Sequence, residues 1–289
     1  MFSVIYDCDN TLGVLRSDVD DGLTFAYLHA HPDIRLLGLT CTFGNNAEHI
    51  VYANTVQMME DLGIGDLPVF RGGRTPGAYE SEAVDFLVES VRKAPGEITV
   101  IATGALTNLA GAYAKDPDFF RNLRQLIVMG GMLEPLHLNG VPIAELNFSA
   151  DFKASTTVLS HCPRLTILSA QCTQDAVYGE QEVQQLLAQN TRFMRLYADA
   201  IRNWIRFIAP AYGNRSVFIN WDLCCAIYLT RPELFEQKLR RITVREEELR
   251  TGHLPETDSG TDWVSIQIPE KIVDLEEFNR EFLKIMALL

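Results

Sequence analysis

Phe2-Ser3-Val4-Ile5-Tyr6-Asp7-Cys8-Asp9-Asn10-Thr11-Leu12-Gly13, followed shortly by Asp18-Val19-Asp20-Asp21-Gly22, decides how the rest of the chain is read. Phe2–Tyr6 is short and almost continuously apolar, the pattern of a strand covered on both faces. An acidic loop follows it, and then a helix-like segment over 21–31. A buried strand, a polar loop and a helix form the opening unit of a parallel α/β fold. Working outward, the same unit recurs. Leu36–Thr42, Ile98–Ala102, Gln125–Met129 and Leu165–Ser169 read as further buried strands, with helix-like segments over 46–62, 81–94, 106–114 and 151–160 between them. The expected fold is therefore α/β, an open and mostly parallel sheet flanked by helices. Helix-like stretches over 179–190, 194–208 and 222–230 suggest a late helical portion that acts as a lid, before a strand over 239–245 and a last helix over 275–288. Without an internal repeat or a Gly/Ser linker, residues 1–289 read as a single α/β domain.

Charge narrows the function. The 289 residues hold 25 Lys plus Arg against 38 Asp plus Glu, a net charge of −13. Such a chain repels phosphate backbones and anionic lipid, which argues against nucleic-acid and membrane-surface partners. No apolar run approaches the roughly 18 residues that span a bilayer. Cys8, Cys41, Cys162, Cys172, Cys224 and Cys225 form no CxxC pair and mostly sit in apolar surroundings. A reduced, cytoplasmic protein is expected. The first strand starts almost at once, without a charged leader, so no signal peptide is read.

The carboxylates of the opening need a partner. Asp7, Asp9, Asp18, Asp20 and Asp21 fall within one short stretch and would repel one another. Helix capping and the macrodipole account for some of them. A hard divalent cation with oxygen ligands accounts for more. An EF-hand is excluded, because Leu12 holds the place of its glycine and Asp18 that of its final glutamate. Asp7-Cys8-Asp9-Asn10-Thr11 also matches the DxDxT motif of haloacid-dehalogenase-like phosphatases. Thr103 would fit that family's hydroxyl residue, but no downstream Lys is followed by a convincing acidic strand end, and Asp20-Asp21 comes too early.

A second resemblance covers far more of the chain. The sequence resembles the inosine-uridine-type nucleoside hydrolases, whose opening motif is DxDxGxDD. Asp7, Asp9 and Asp20-Asp21 match it, with about six extra residues between. Leu39-Thr40-Cys41-Thr42-Phe43-Gly44-Asn45, Thr103-Gly104-Ala105-Leu106-Thr107-Asn108-Leu109-Ala110, Val128-Met129-Gly130-Gly131, the Asn139 to Asn147 segment with Ala144-Glu145-Leu146-Asn147, and Trp221-Asp222 match further motifs in order. The match spans roughly residues 2 to 230. The resemblance implies Ca²⁺ held by Asp9, Asp21, Asp222 and the Thr103 carbonyl, with the cation activating the attacking water and Asp9 as general base. It implies that Asp20, Asn139, Glu145 and Asn147 take the ribose hydroxyls and that Met129 packs on the sugar. Asn45 is placed beside the metal, and Asp7 is expected to orient the other carboxylates. The implied partner is a small ribonucleoside, and self-association as a homodimer or homotetramer is expected.

Two departures concern the base pocket. Trp221 stands where many members carry a histidine, which removes the obvious acid for the leaving base. An indole there favours stacking, and with it purines. The segment Arg71–Glu82 is shorter than in many members. Tyr79, Trp204, Phe207 and Tyr212 are candidates for contacts with the base, and Arg215 belongs to a candidate mobile loop. His49, His137 and His161 are not assigned as acids. A DxDxT phosphatase and a non-catalytic nucleoside binder are the competing readings.

Overall fold

The computed structural model describes residues 1–138 and 140–289. Its central sheet has eight strands: β1 (Phe2–Cys8), β2 (Ile34–Cys41), β3 (Val69–Phe70), β4 (Ile98–Ala102), β5 (Gln125–Met129), β6 (Leu165–Leu168), β7 (Leu239–Ile242) and β8 (Val264–Gln267). They lie in the order β7-β8-β6-β5-β4-β1-β2-β3. Pairing is parallel throughout except between β7 and β8. The six strands read from the sequence are all present. β1 runs two residues further than expected, so Asp7 belongs to the strand and only Asp9 reaches the loop.

The main helices are α1 (Asp20–Ala30), α2 (Glu48–Leu62), α3 (Glu82–Lys93), α4 (Thr107–Lys115), α5 (Phe152–His161), α6 (Glu180–Leu187), α7 (Arg192–Ile208), α8 (Leu223–Thr230) and α9 (Leu275–Met286). On one face of the sheet Leu23, Phe25 and Tyr27 of α1 share a core with Ile201 and Ile205 of α7, Ile227 of α8 and Phe282 of α9. On the other, Leu87 and Val91 of α3 pack with Leu109 of α4, Val158 of α5 and the strand residues Ile5, Val100 and Val128. Both faces are thus covered, which explains why β1 and β4 are apolar at successive positions rather than at alternate ones.

The strand order places the site. From β1 the chain builds outward through β2 and β3, then returns to the other side of β1 with β4, β5 and β6. The order reverses between β1 and β4, so the loops after these two strands diverge and leave a crevice at their carboxyl ends. Asp9 follows β1, and Thr103 follows β4. After β5, Gly131 takes φ +72, and a Cβ there would meet Leu254 Cδ1 at 2.6 Å, so the turn is closed to larger residues.

Candidate active site

A cavity of about 330 Å³ opens at this crevice, the size of a small-molecule site. Asp20 and Asp222 line it with Asn45 and Thr103; Met129, Glu145 and Asn147 form one side, and Trp204, Ile208, Tyr212 and Trp221 another. The elements that supply them are far apart in sequence. Asp20 opens α1, Asp222 immediately precedes α8, and Trp204 and Ile208 come from α7. The late helical portion therefore walls the cavity.

Asp20, Asp21 and Asp222 each offer a carboxylate oxygen within 4.8 Å of the others, and all three are buried. Asp9 is fully buried against Asp21. Asn45 ties these two together: its backbone N–H donates to Asp9 Oδ2 at 2.5 Å, and its side-chain Nδ2 lies 3.3 Å from Asp9 Oδ1 and 3.2 Å from Asp21 Oδ2. Thr103 Oγ1 is 2.7 Å from Asp21 Oδ1, and the Tyr6 hydroxyl is 3.2 Å from the same oxygen. Burial pushes Asp9, Asp20, Asp21 and Asp222 up from the usual carboxylate range, and charge repulsion from neighbouring aspartates pushes Asp9, Asp20 and Asp222 further in the same direction. No Lys, Arg or His is among the described residues that line the cavity. Buried like charges without a cationic side chain, all hard oxygen donors, are the environment a divalent cation satisfies.

The sequence-derived set is thus largely brought together. Asp9, Asp20, Asp21, Asn45, Thr103, Met129, Glu145, Asn147, Trp221 and Asp222 all reach the crevice, whereas Asn139 lies outside the described residues. Asp20 joins the three-carboxylate group, a place that the resemblance gave to Asp9. Glu145 is held firmly: Oε1 accepts from Gly131 N at 3.0 Å and Phe148 N at 2.8 Å, and Oε2 from Ser149 N at 3.0 Å. Asn147 Nδ2 donates to the Met129 carbonyl at 3.0 Å. Asp7 differs from expectation. Its hydrogen-bond partners are not carboxylates: Oδ2 accepts from Thr40 Oγ1 at 2.6 Å and from Asn108 Nδ2 at 2.8 Å. Asn108 in turn accepts from Gly73 N at 2.8 Å. Asp7, pushed up to about 7 by burial, braces β1 against β2 and the loop after β3. Its Oδ2 is engaged by Thr40 and Asn108, so the nucleophile of a DxDxT phosphatase is not free where that reading needs it.

Two residues were missed by sequence reasoning. Tyr6 passed for a core aromatic, although a buried phenol needs a polar partner. Asp18 was given no place in the site, yet it lines the cavity. Of the aromatic candidates, Trp204 and Tyr212 line it; Tyr79 packs with α3 and α4, and Phe207 is an exposed residue under the Arg16 guanidinium. His49, His137 and His161 do not line it.

The description "inosine-uridine preferring nucleoside hydrolase" belongs to a family whose profile matches residues 4–280. The chain belongs to that family. Among its relatives is uridine nucleosidase 1 of Arabidopsis thaliana, 25% identical over 263 residues that make up 81% of this chain and 78% of that protein. A solved plant nucleoside hydrolase superposes with a TM-score of 0.87 at 21% identity, over 99% of both chains. A purine-preferring ribonucleoside hydrolase from Gardnerella vaginalis gives 0.84 at 21% identity, over 99% of this chain and 98% of that one. These two neighbours establish that the nucleoside-hydrolase fold extends across the whole chain. This nucleoside hydrolase is an enzyme acting on N-glycosyl compounds; members of the family generally bind a metal ion, and Asp20, Asp21 and Asp222 form a group that could hold one. No helix among the described residues is long and apolar enough to cross a membrane.

Proposed function

We propose that the enzyme is a Ca²⁺-dependent ribonucleoside N-ribohydrolase that converts a nucleoside and water into ribose and the free base, with a preference for purines. The observation that carries the proposal is the convergence of Asp9, Asp20, Asp21 and Asp222 under one cavity with no cationic side chain among them. Asp21, Asp222 and Asp9, with the Thr103 carbonyl, would hold the cation, and Asp20 lies within reach of the same position. When bound, Ca²⁺ supplies Lewis acidity toward the attacking water.

The remaining roles fall to the chain. Asp9 accepts the water's proton, its orientation fixed by the Asn45 N–H. Thr103 Oγ1 and the Tyr6 hydroxyl hold Asp21 in place. Asp20, Glu145, Asn147 and Asn139 take the ribose hydroxyls, so substrates lacking a hydroxyl leave buried polar groups unpaired and are rejected. Met129 packs on the sugar, which develops oxocarbenium character as the C–N bond breaks. Trp221 stacks on the base.

Ribose release from inosine, guanosine, adenosine, uridine and cytidine, with EDTA and with added Ca²⁺, tests this. Hydrolysis that EDTA stops and Ca²⁺ restores supports it. Nucleoside binding without turnover under saturating Ca²⁺ refutes it.

A further inference from the structure

The opening motif of the family has glycine two residues before its acidic pair; this chain has Asp18 there. The side chain is not turned to solvent as a plain cap. Asp18 lines the cavity, with its carboxyl against that of Asp20 and facing the Tyr212 hydroxyl. Its position is fixed, since Oδ1 accepts from Val19 N at 2.7 Å and its carbonyl accepts from Thr11 Oγ1 at 3.0 Å. Trp204, Tyr212 and Trp221 present aromatic surface to the same cavity. The described lining holds four carboxylates, Asp18, Asp20, Glu145 and Asp222, and no Lys, Arg or His. Arg16, on the same inserted loop, lies outside it over Phe207. Carboxylates next to aromatic faces attract a cation, by charge and by the ring quadrupole.

We propose that this site is selective for N-ribosides whose base carries a fixed positive charge, such as an N-ribosylated pyridinium or an N7-alkylated purine, and that Asp18 selects for that charge. The inference rests on the ribohydrolase reading and narrows its substrate class. It also removes the need for the acid that Trp221 displaced. A neutral nucleoside releases its base as an anion unless the base gains a proton. In a cationic riboside the C–N bond pair passes to the ring nitrogen and the base leaves neutral, water oxygen bonds to the anomeric carbon, and the water proton goes to Asp9. The balance is cationic riboside plus water giving ribose, neutral base and one proton.

The test compares kcat/KM for N-ribosylated 3-carbamoylpyridinium and for inosine, in wild type and in Asp18→Asn. Intrinsic leaving-group reactivity cancels when the cation-to-inosine ratio of the variant is divided by that of the wild type. One unit charge at about 6 Å, between surface and bulk dielectric, gives an expected fall of roughly three- to a hundredfold in that ratio. Asp18→Glu should recover most of it. A ratio that stays within twofold overturns the proposal, as does a larger loss on inosine than on the cation, which would make Asp18 a proton donor. If Asp18→Asn does not fold, the wild type alone decides. Raising salt from about 0.02 to about 0.5 M should raise KM for the cationic riboside and leave that for inosine flat; parallel behaviour overturns it. Ribose from inosine but none from the cation defeats this inference only, whereas no ribose from either defeats the ribohydrolase reading itself.

Discussion

Gly44→Ala displaces Asp9, the proposed base and one of the proposed cation ligands, while leaving its carboxylate chemically intact. A Cβ on Gly44 would lie 1.9 Å from Asp9 Oδ2 and 3.0 Å from its Cγ. Carbon and oxygen settle near 3.5 Å, so the carboxylate oxygen must retreat by at least about 1 Å. That oxygen is the one that accepts the Asn45 N–H at 2.5 Å, so the same movement removes the bond that aims it. Misplacing a reacting group by about 1 Å costs on the order of a hundredfold, or about 2.7 kcal/mol of barrier. The lost hydrogen bond arises from the same displacement and is not added to it. Overpacking at one site costs about 1–3 kcal/mol of stability, so the variant should still fold, with Tm lowered by some degrees. Gly65→Ala is the control, because nothing lies within 4 Å of a Cβ there. Saturating-substrate ribose release should fall about a hundredfold in Gly44→Ala and stay level in the control. Turnover within threefold of wild type in a folded Gly44→Ala protein would refute the assignment of Asp9 as the base.

Other expectations follow from the same geometry. Thr103→Val removes a hydroxyl donor to Asp21 and should weaken cation affinity by roughly ten- to a hundredfold in calorimetric titration, as expected for a hydrogen bond to a charged group. EDTA should lower Tm as well as activity, and Ca²⁺ should restore both, since an ion bound only by the folded state stabilises it by mass action; an unchanged Tm would count against a resident cation. Trp221→Ala should cut the purine-to-pyrimidine ratio of kcat/KM by roughly two- to tenfold, the worth of one aromatic contact. His31 is buried, and burial lowers its pKa although Glu281 opposes this. Its Nδ1 already accepts from Asp33 N at 3.1 Å, a bond that protonation breaks. The unfolded chain therefore binds the proton better, and the His31 contribution, complete above the ordinary value of about 6.5, is lost as pH falls below it. Tm should drop less steeply from about pH 7 to about pH 5 in His31→Gln than in wild type, and equal slopes would reject the argument.

The sheet was legible because its central strands are covered on both faces, so Val100, Ile101 and Val128 needed no alternation to be recognised. β3 and β8 were not. β3 is two residues long, and Val264-Ser265-Ile266-Gln267 alternates polar and apolar residues in a stretch too short to stand out. The carboxylates were legible as a family pattern rather than as geometry. Nothing along the sequence says that Asp222 will meet Asp20 and Asp21; α8 brings it there by packing against α1 through Leu223 and Ile227. Asp7 was misjudged for the opposite reason. It belongs to the motif, but β1 extends through it, and strand alternation turns its side chain toward Thr40 and Asn108 rather than toward Asp9's neighbours.

The residues inserted between Asp9 and Asp20 raise a sharper question, since a loose insertion there would let the acidic pair drift from β1. The structure closes that gap by burying the loop's first half. Asn10, Thr11 and Leu12 are inaccessible to solvent, and Asn54 Nδ2 from α2 reaches the carbonyls of both Asn10 and Leu12, at 3.2 and 3.1 Å. Leu12 packs so tightly on α1 that a Cβ at Gly22 would stand 2.4 Å from its own Cβ, so only glycine admits this contact. The insertion is thereby clamped to α2 on one side and to the first turn of α1 on the other. Only its outer half, with exposed Leu15 and with Arg16 at φ +60, extends toward Phe207. Asp20 and Asp21 are held at the crevice by that clamp, and Asp18, at the point where the loop re-enters α1, is placed where the family's glycine has no side chain at all. Gly22→Ala should therefore act at a distance. By forcing Leu12 out of its seat it should shift the acidic pair and weaken cation binding, even though neither residue touches the proposed ion; unaltered cation affinity in a folded Gly22→Ala protein would show that the loop plays no part in positioning the site.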